Sequence, residues 1–285
     1  MRLSVLISVY QKDSSLFFAQ ALQSLLQQSL QADEVIVVQD GPIGEALAGV
    51  LTEYSGKLPL RILALPKNGG LGASLRAGII ECQCELVARM DADDVSVPDR
   101  FRLQVRTFEN DSRLDAVGGS IAEFASSSES PIAVRRLPAG NDAIVRYAKW
   151  RNPFNHMTAM FRRAAVINVG NYVPFADFED YHLWVRMLLA GSRFVNLDEI
   201  LVYARAGTEM LKRRGGFKYA TTEIAFQRFL CGCGFISPAR SVFNTVLRLP
   251  VRLAPIALRT FMYHRLLRST ACDCRPFLAP DRPKQ

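Results

Sequence analysis

Between residues 3 and 90, short apolar runs alternate with segments of helical spacing, and the connections between them are only a few residues long. Leu3–Val9 (LSVLISV) has the length and β-rich character of a buried strand. Ser14–Ser29 follows, with Leu16, Phe17, Ala21, Leu22, Leu25 and Leu26 on one helical face. Val35–Val38 is a second strand, ending at the turn Asp40-Gly41-Pro42. A helix over Gly44–Tyr54, a strand over Leu60–Leu65, a turn at Asn68-Gly69-Gly70 and a helix over Ala73–Glu81 come next, and the strand Leu86–Met90 stops at Asp91. Such alternation predicts right-handed βαβ units, hence an α/β fold with a mainly parallel sheet flanked by helices.

After about residue 115 the alternation weakens. Ala116–Phe124 is a candidate strand, Ser126–Ser130 a polar loop, Ala143–Lys149 and Asp180–Ala190 candidate helices, and Arg193–Ala204 strand structure. There is no internal repeat. Charge then divides the chain. The net charge is +8, yet residues 224–272 hold seven arginines and no acidic residue, while 1–223 is neutral. The expected division is a neutral α/β domain over 1–223 and a basic amphipathic helical region over 224–285, with an anionic partner for the latter only. Within 241–268, Phe243, Leu247, Leu253, Ile256, Phe261 and Leu266 are interleaved with arginines, and Pro250 and Pro255 are expected to break the segment into short helices. This pattern suits an anionic membrane surface, with an oligomer contact or nucleic acid as rivals. Interleaving with aliphatics rather than stacking aromatics argues against nucleic acid.

A composition of 49% hydrophobic and 22% charged residues excludes disorder. No apolar run reaches the ~18–20 residues of a spanning helix. The chain opens on a strand-like run rather than a signal peptide, so a cytoplasmic, reducing location is expected. The six cysteines form three C-x-C pairs, a spacing unlike that of structural zinc, so free thiols are expected.

In parallel sheets ligands bind beyond the carboxyl ends of the strands. Three of those ends carry chemistry: Tyr10 to Asp13, Asp40, and Asp91 to Asp94. In Asp91-Ala92-Asp93-Asp94, extended geometry puts Asp91 and Asp93 on one side, where crowded carboxylates suit Mg²⁺ or Mn²⁺ beneath a phosphate; an acidic surface turn is the alternative. Asp40 suits either a turn or a hydrogen bond from a base or ribose. Gly69 and Gly70 let backbone approach a phosphate or simply form a tight turn. Arg213 and Arg214 suit a diphosphate or a solvated loop. Glu179 and Asp180 precede a helix, as caps or with a general base between them. Tyr181, His182, Trp184 and Arg186 are candidates for an acceptor wall. The polar run Arg151-Asn152-Pro153-Phe154-Asn155-His156 is a solvated loop or the lining of a sugar site.

The ordered motifs Val5–Tyr10, Val38–Gly41, Asn68–Gly72, Met90–Asp94 and Glu179–Trp184 resemble family 2 inverting glycosyltransferases of the GT-A fold over about residues 1–220. Arg-Asn-Pro-Phe-Asn-His and Arg-Arg-Gly-Gly are similar to bacterial transferases of the amylovoran type that build O-antigen or exopolysaccharide on GlcNAc-diphospho-undecaprenol. The resemblance implies a UDP-sugar donor whose uracil and ribose meet Ser8, Val9, Tyr10 and Asp40, with Asp13 beside them. It also implies a metal and donor site at Asp91, Ala92 and Asp93, and Asp180 as catalytic base. Asn152, His156, Glu179 and Trp184 are the expected acceptor contacts. Arg76 departs from the pattern, since many relatives carry Asn there. The implied activity is transfer of glucose or galactose to a lipid-linked acceptor on the inner face of the bacterial cytoplasmic membrane. The rival is a non-catalytic nucleotide-binding scaffold docked on the membrane. An NAD-dependent oxidoreductase is set aside, because Tyr10-Gln11-Lys12-Asp13 stands where a glycine fingerprint is needed.

Overall fold

The structure, a computed structural model, describes residues 1–124, 130–205, 215–255 and the two-residue strand at 269–270. Its first half follows the sequence pattern: β1 (Leu3–Val9), α1 (Ser15–Leu26), β2 (Glu34–Gln39), α2 (Glu45–Tyr54), β3 (Leu60–Ala64), α3 (Leu71–Glu81) and β4 (Leu86–Met90). Strands β1, β2 and β4 are largely apolar because helices cover both of their faces, with Arg89 of β4 a buried exception. On one face Val5, Ile7 and Val9 pack with Phe18 and Leu22 of α1 and Leu47 and Leu51 of α2. On the other, Leu6, Ile36 and Val38 pack with Leu75 and Ile79 of α3.

The second half comprises β5 (Val95–Ser96), α4 (Arg100–Asn110), β6 (Leu114–Phe124), β7 (Ala133–Arg135), α5 (Asn141–Ala148), a 3₁₀ turn at His156–Thr158, β8 (Met160–Arg162), α6 (Arg163–Asn168), α7 (Glu179–Leu189), β9 (Arg193–Arg205), α8 (Phe217–Gly232), α9 (Pro238–Leu253) and β10 (Ser269–Thr270). The sheet order is β10-β7-β6-β8-β4-β1-β2-β3, with β9 beside β6 and β5. The long ladders are parallel: β1 with β2 and β4, β2 with β3, and β6 with β9. The antiparallel ladders cover only two or three residues each. The key insertion is β8, which enters between β4 and β6 with Met160 opposite Ala88. It draws the preceding residues 152–156 toward the carboxyl end of β4.

Two expectations for the C-terminal part are corrected. The division at 223/224 falls inside α8, which belongs to the body of the fold. Phe226 stacks on Phe178 at 4.6 Å and lies 4.7 Å from Tyr181. Glu223 is fully buried and accepts hydrogen bonds from Arg248 Nη1 at 2.5 Å, Arg252 Nη2 at 3.3 Å and Gln227 Nε2 at 3.1 Å. It is therefore the counter-charge for two of the arginines expected to face a membrane. Pro250 does not break α9 either. It sits in the last turn, so only one intrahelical bond is lost, and the Ala254 N–H still reaches the Pro250 carbonyl at 2.9 Å. Residues 256–268 of the expected amphipathic segment lie outside the described residues.

Among the described residues no helix is long and apolar enough to cross a membrane. Cys82, Cys84, Cys231 and Cys233 are free thiols. Cys82 is pushed up to about 12 by burial and by the Glu34 carboxylate, so its thiolate is not formed at neutral pH.

Candidate active site

The carboxyl ends of β1, β2 and β4 lie side by side, as the pairings Ile7 with Met90 and Val9 with Gln39 require. At the end of β1, Ser8 and Tyr10 are half-buried and Val9 is buried. The Asp13 carboxylate accepts the Tyr10 N–H at 2.9 Å, so it shapes the turn beside these residues. At the end of β2, the two expected ligand groups bind each other. Asp40 is buried, and its carboxylate accepts the Gly69 N–H at 2.7 Å and the Gly70 N–H at 2.9 Å. Neither amide is left for a phosphate in this arrangement. Each Asp40 oxygen retains a lone pair for a further donor. The glycine turn has a second use at Gly72. A Cβ there would lie 3.1 Å from Pro174 Cα and 3.2 Å from Glu179 Cβ, so the missing side chain lets α3 start against the head of α7. Arg76 faces away from this turn. Its Nη1 donates to the Tyr172 carbonyl at 3.1 Å, which ties α3 to the 171–172 bend.

The acidic cluster forms for a reason that differs from strand alternation. The extended strand ends at Met90, and Ala92-Asp93 turn back. The turn brings one oxygen each of Asp91, Asp93 and Asp94 within 4.8 Å of one another. Asp91 is held by Arg89, whose Nη2 lies 2.5 Å from its carboxylate. Arg89 is buried, and its Nε and Nη1 have no partner. Asp93 is the exposed member of the three. Its carboxyl is pushed up to about 6 by desolvation and by the charge of Asp91. Asp94 is buried. One of its oxygens accepts the Arg205 N–H at 2.9 Å and the other has no partner. Burial and then the charge of Asp91 raise it well above the carboxylate range. Arg205, at the end of β9, was not singled out from sequence. Its guanidinium lies 3.6 Å from the Phe17 ring centre and donates to the Asp93 carbonyl and to Gln20. Three converging carboxylates, with a buried unpaired oxygen on Asp94 and raised protonation ranges at Asp93 and Asp94, form a hard-oxygen donor set that fits a divalent cation.

A second cluster stands at the head of α7. The Asp180 carboxylate accepts the Tyr181 N–H at 2.7 Å and the Asn152 side-chain amide at 2.5 Å. His156 Nδ1 is 3.9 Å from it, and His156 Nε2 is 3.4 Å from the Tyr172 hydroxyl. Burial and the charge of Arg89 hold His156 well below its ordinary range, so its ring is neutral. Glu179 is pushed up to about 7 by burial and by the Asp180 charge. The two clusters share one environment: Arg89 acts electrostatically on Asp91, Asp93, His156, Tyr172 and Glu179.

The polar run at 151–156 is thus divided. Asn152 and His156 face Asp180, Phe154 is a core residue, and the Asn155 amide donates to the Gly119 carbonyl at 2.8 Å. The expected acceptor wall on α7 is not there. Trp184 is fully buried, packed edge-on against Phe154 and Phe194, because the inner face of an amphipathic helix carries its largest apolar residue. Tyr181 bonds the Ala148 carbonyl, Arg186 the Val169 and Asn171 carbonyls, and His182 stacks 4.0 Å from Phe229. Arg213 and Arg214 lie outside the described residues.

The model of the family described as "Glycosyl transferase family 2" matches residues 4–170, more than half of the chain. The chain belongs to this glycosyltransferase family. The transferase is 38% identical over 265 residues to the amylovoran biosynthesis glycosyltransferase AmsE of Erwinia amylovora, covering 92% of this chain and 98% of that protein. It is 34% identical over 267 residues to an Escherichia coli UDP-Gal:alpha-D-GlcNAc-diphosphoundecaprenol beta-1,3-galactosyltransferase, covering 94% and 97%. Among solved structures, the transferase matches mannosyltransferase PcManGT of Pyrobaculum calidifontis, in complex with GDP-Man and Mn²⁺, with a TM-score of 0.64. That match, at 16% identity, covers 96% of this chain and 78% of that one and establishes the shared GT-A-like fold.

Proposed function

We propose that this transferase moves a hexose, glucose or galactose, from a UDP-sugar to a GlcNAc-diphospho-lipid, with inversion and formation of a β-1,3 linkage. The observation that carries this reading is the presence of two separate carboxylate groups that both feel the charge of Arg89. Three carboxylates crowd at the end of β4, and a distinct carboxylate, Asp180, is fixed by Asn152 at the head of α7. The name of the Escherichia coli relative supplies the acceptor class and a donor, and that of AmsE supports polysaccharide synthesis.

On this reading Asp91, Asp93 and Asp94 would hold Mn²⁺ or Mg²⁺, which would supply positive charge to the donor's diphosphate. Ser8, Val9 and Tyr10 line the nucleoside, with Asp13 shaping their turn. Asp40 offers its remaining lone pairs to the ribose while it braces Gly69 and Gly70. Asp180 accepts the proton of the acceptor hydroxyl as that oxygen attacks the anomeric carbon from the face opposite the diphosphate. Asn152 orients Asp180, and neutral His156 leaves the Asp180 charge uncancelled. Glu179 stands beside it at the acceptor. Arg214 is proposed for the diphosphate. A lipid-linked acceptor implies work at a membrane surface.

The test replaces Asp180 by Asn and, separately, Asp93 by Ala. Each variant is expected to unfold at the wild-type temperature within a few degrees; Asp180→Asn is expected to lose at least about a hundredfold in turnover, the range of one acid–base group, and Asp93→Ala to lose turnover through weaker cation binding. Near-normal turnover by Asp180→Asn would remove the base assignment. A wild-type protein that binds UDP-sugar and transfers nothing would favour a non-catalytic scaffold.

A further inference from the structure

Helix α9 carries two unlike faces. Inward, Arg248 and Arg252 meet Glu223, and the Asn244 amide donates to the Lys149 carbonyl at 3.1 Å. Outward, Val242, Phe243, Val246, Leu247 and Leu253 are each more than half exposed. Their spacing places them in one stripe along about three turns. At the head of the stripe Trp150 meets Phe243 edge-on at 5.7 Å, and the Arg240 guanidinium lies 3.6 Å over the Trp150 ring. Beside them Lys149 and Arg240 frame a cavity of about 400 Å³ whose walls include Phe235 and Ile236. Trp150 is followed by exposed Arg151 and then by Asn152, the residue bonded to Asp180. Three consecutive residues thus connect the apolar stripe to the candidate base.

We propose that this face, led by Trp150, Arg240, Phe243 and Leu247, docks on an anionic phospholipid surface and sets the Asp180 end of the candidate site toward the bilayer. The proposal rests on the lipid-linked acceptor inferred above and adds where, and in what orientation, the chain meets the lipid. Charge selects the occupant. Glu223 is the only acidic residue from 217 to 255, and it is buried against Arg248 and Arg252. The rim of the stripe is therefore cationic through Lys149, Arg151 and Arg240. A second copy docked through this face would bring these cations no acidic partner from 217–255, since Glu223 is buried against Arg248 and Arg252. Residues 256–272 add Arg259, Arg265 and Arg268 with no acidic residue, so covering the stripe with them would also oppose like charges. An anionic bilayer satisfies both the stripe and its rim: aliphatic side chains enter the acyl boundary while guanidiniums reach the phosphates and Trp150 sits at the headgroup level.

The chain has two tryptophans, and Trp184 is already in the core, so fluorescence changes on docking report Trp150. Full-length protein is titrated with vesicles of phosphatidylethanolamine and phosphatidylglycerol, and with phosphatidylcholine alone. The wild type is expected to bind the anionic vesicles with a blue shift that salt weakens and that Trp150→Phe abolishes. Phe243→Asp with Leu247→Asp is expected to weaken binding by roughly tenfold or more. The same double variant is expected to keep wild-type transfer to a water-soluble GlcNAc-diphosphate acceptor and to lose it on acceptor embedded in vesicles. Absence of wild-type binding, or equal binding by the double variant, would overturn the proposal. So would a double variant that alters only sedimentation, the mark of a second copy, or only thermal stability, the mark of cover by its own chain. Failure of transfer to the soluble acceptor would instead count against the proposed reaction, leaving vesicle binding to be judged by itself.

Discussion

Arg89→Met tests whether one buried cation holds the acidic cluster together. Arg89 is 1% exposed and its Nη2 lies 2.5 Å from Asp91, which is 31% exposed. Stranding one partner of a buried ion pair costs about 3–5 kcal/mol. Two features reduce this. Asp91 is partly screened by solvent, and the variant also removes Nε and Nη1, which are buried without partners and each cost about 1–3 kcal/mol where they are. Methionine fills a similar volume without a charge, so the net loss in chelator is expected to be about 1–3 kcal/mol, or a fall in Tm of roughly 2–10 °C. With Arg89 gone, Asp91, Asp93 and Asp94 face one another with one less cation, so a divalent ion is worth more to the folded state. Saturating Mn²⁺ at about a hundred times Kd contributes about 2.7 kcal/mol, and the Mn²⁺-induced rise in Tm is expected to be larger in the variant than in the wild type. Differential scanning calorimetry with chelator and with Mn²⁺ makes the comparison. A variant as stable as wild type in chelator, or with a smaller Mn²⁺ response, would refute this account of the cluster.

Gly78→Ala is expected to destabilise by about 1–3 kcal/mol, because its Cβ would lie 2.3 Å from Leu6 Cδ1 and 2.8 Å from Val38 Cγ2 in a fully buried layer; unchanged urea unfolding would show that α3 does not approach β1 and β2 so closely. Glu179 is raised to about 7 in the fold from 4.5, so its protonated form favours folding below about pH 4.5, and that contribution is lost as pH rises through about 7. Glu179→Gln is therefore expected to match wild-type stability near pH 4.5 and to exceed it by about 1–3 kcal/mol near pH 8; urea unfolding at both values decides, and a constant difference would contradict the shift.

The first half of the fold was legible because β1, β2 and β4 are buried on both faces, which forces largely apolar runs with abrupt polar ends. The Asp91 cluster was legible for the same reason, since it begins where such a strand stops. Asp94 was not, because its membership depends on a turn at Ala92-Asp93 and on the Arg205 N–H, 111 residues away. Trp184 was misplaced because its motif neighbours are polar, whereas the helix rotates it into the core. β8 left little trace, as three residues in an antiparallel slot make no period. Glu223 seemed to be only the last acid before a basic stretch. Its partners are one to two helical lengths further on, and only the packing of α9 on α8 shows that two of those arginines are internal.

The central claim is transfer of one hexose to a lipid diphosphate-linked sugar, and mass spectrometry tests it directly. Purified protein, Mn²⁺ and a synthetic GlcNAc-diphospho-lipid are incubated with a panel of UDP-sugars. The acceptor is expected to gain one hexose from UDP-glucose or UDP-galactose, with a β anomeric signal in the product. An acceptor of unchanged mass across the whole panel, or an α-linked product, would contradict the account.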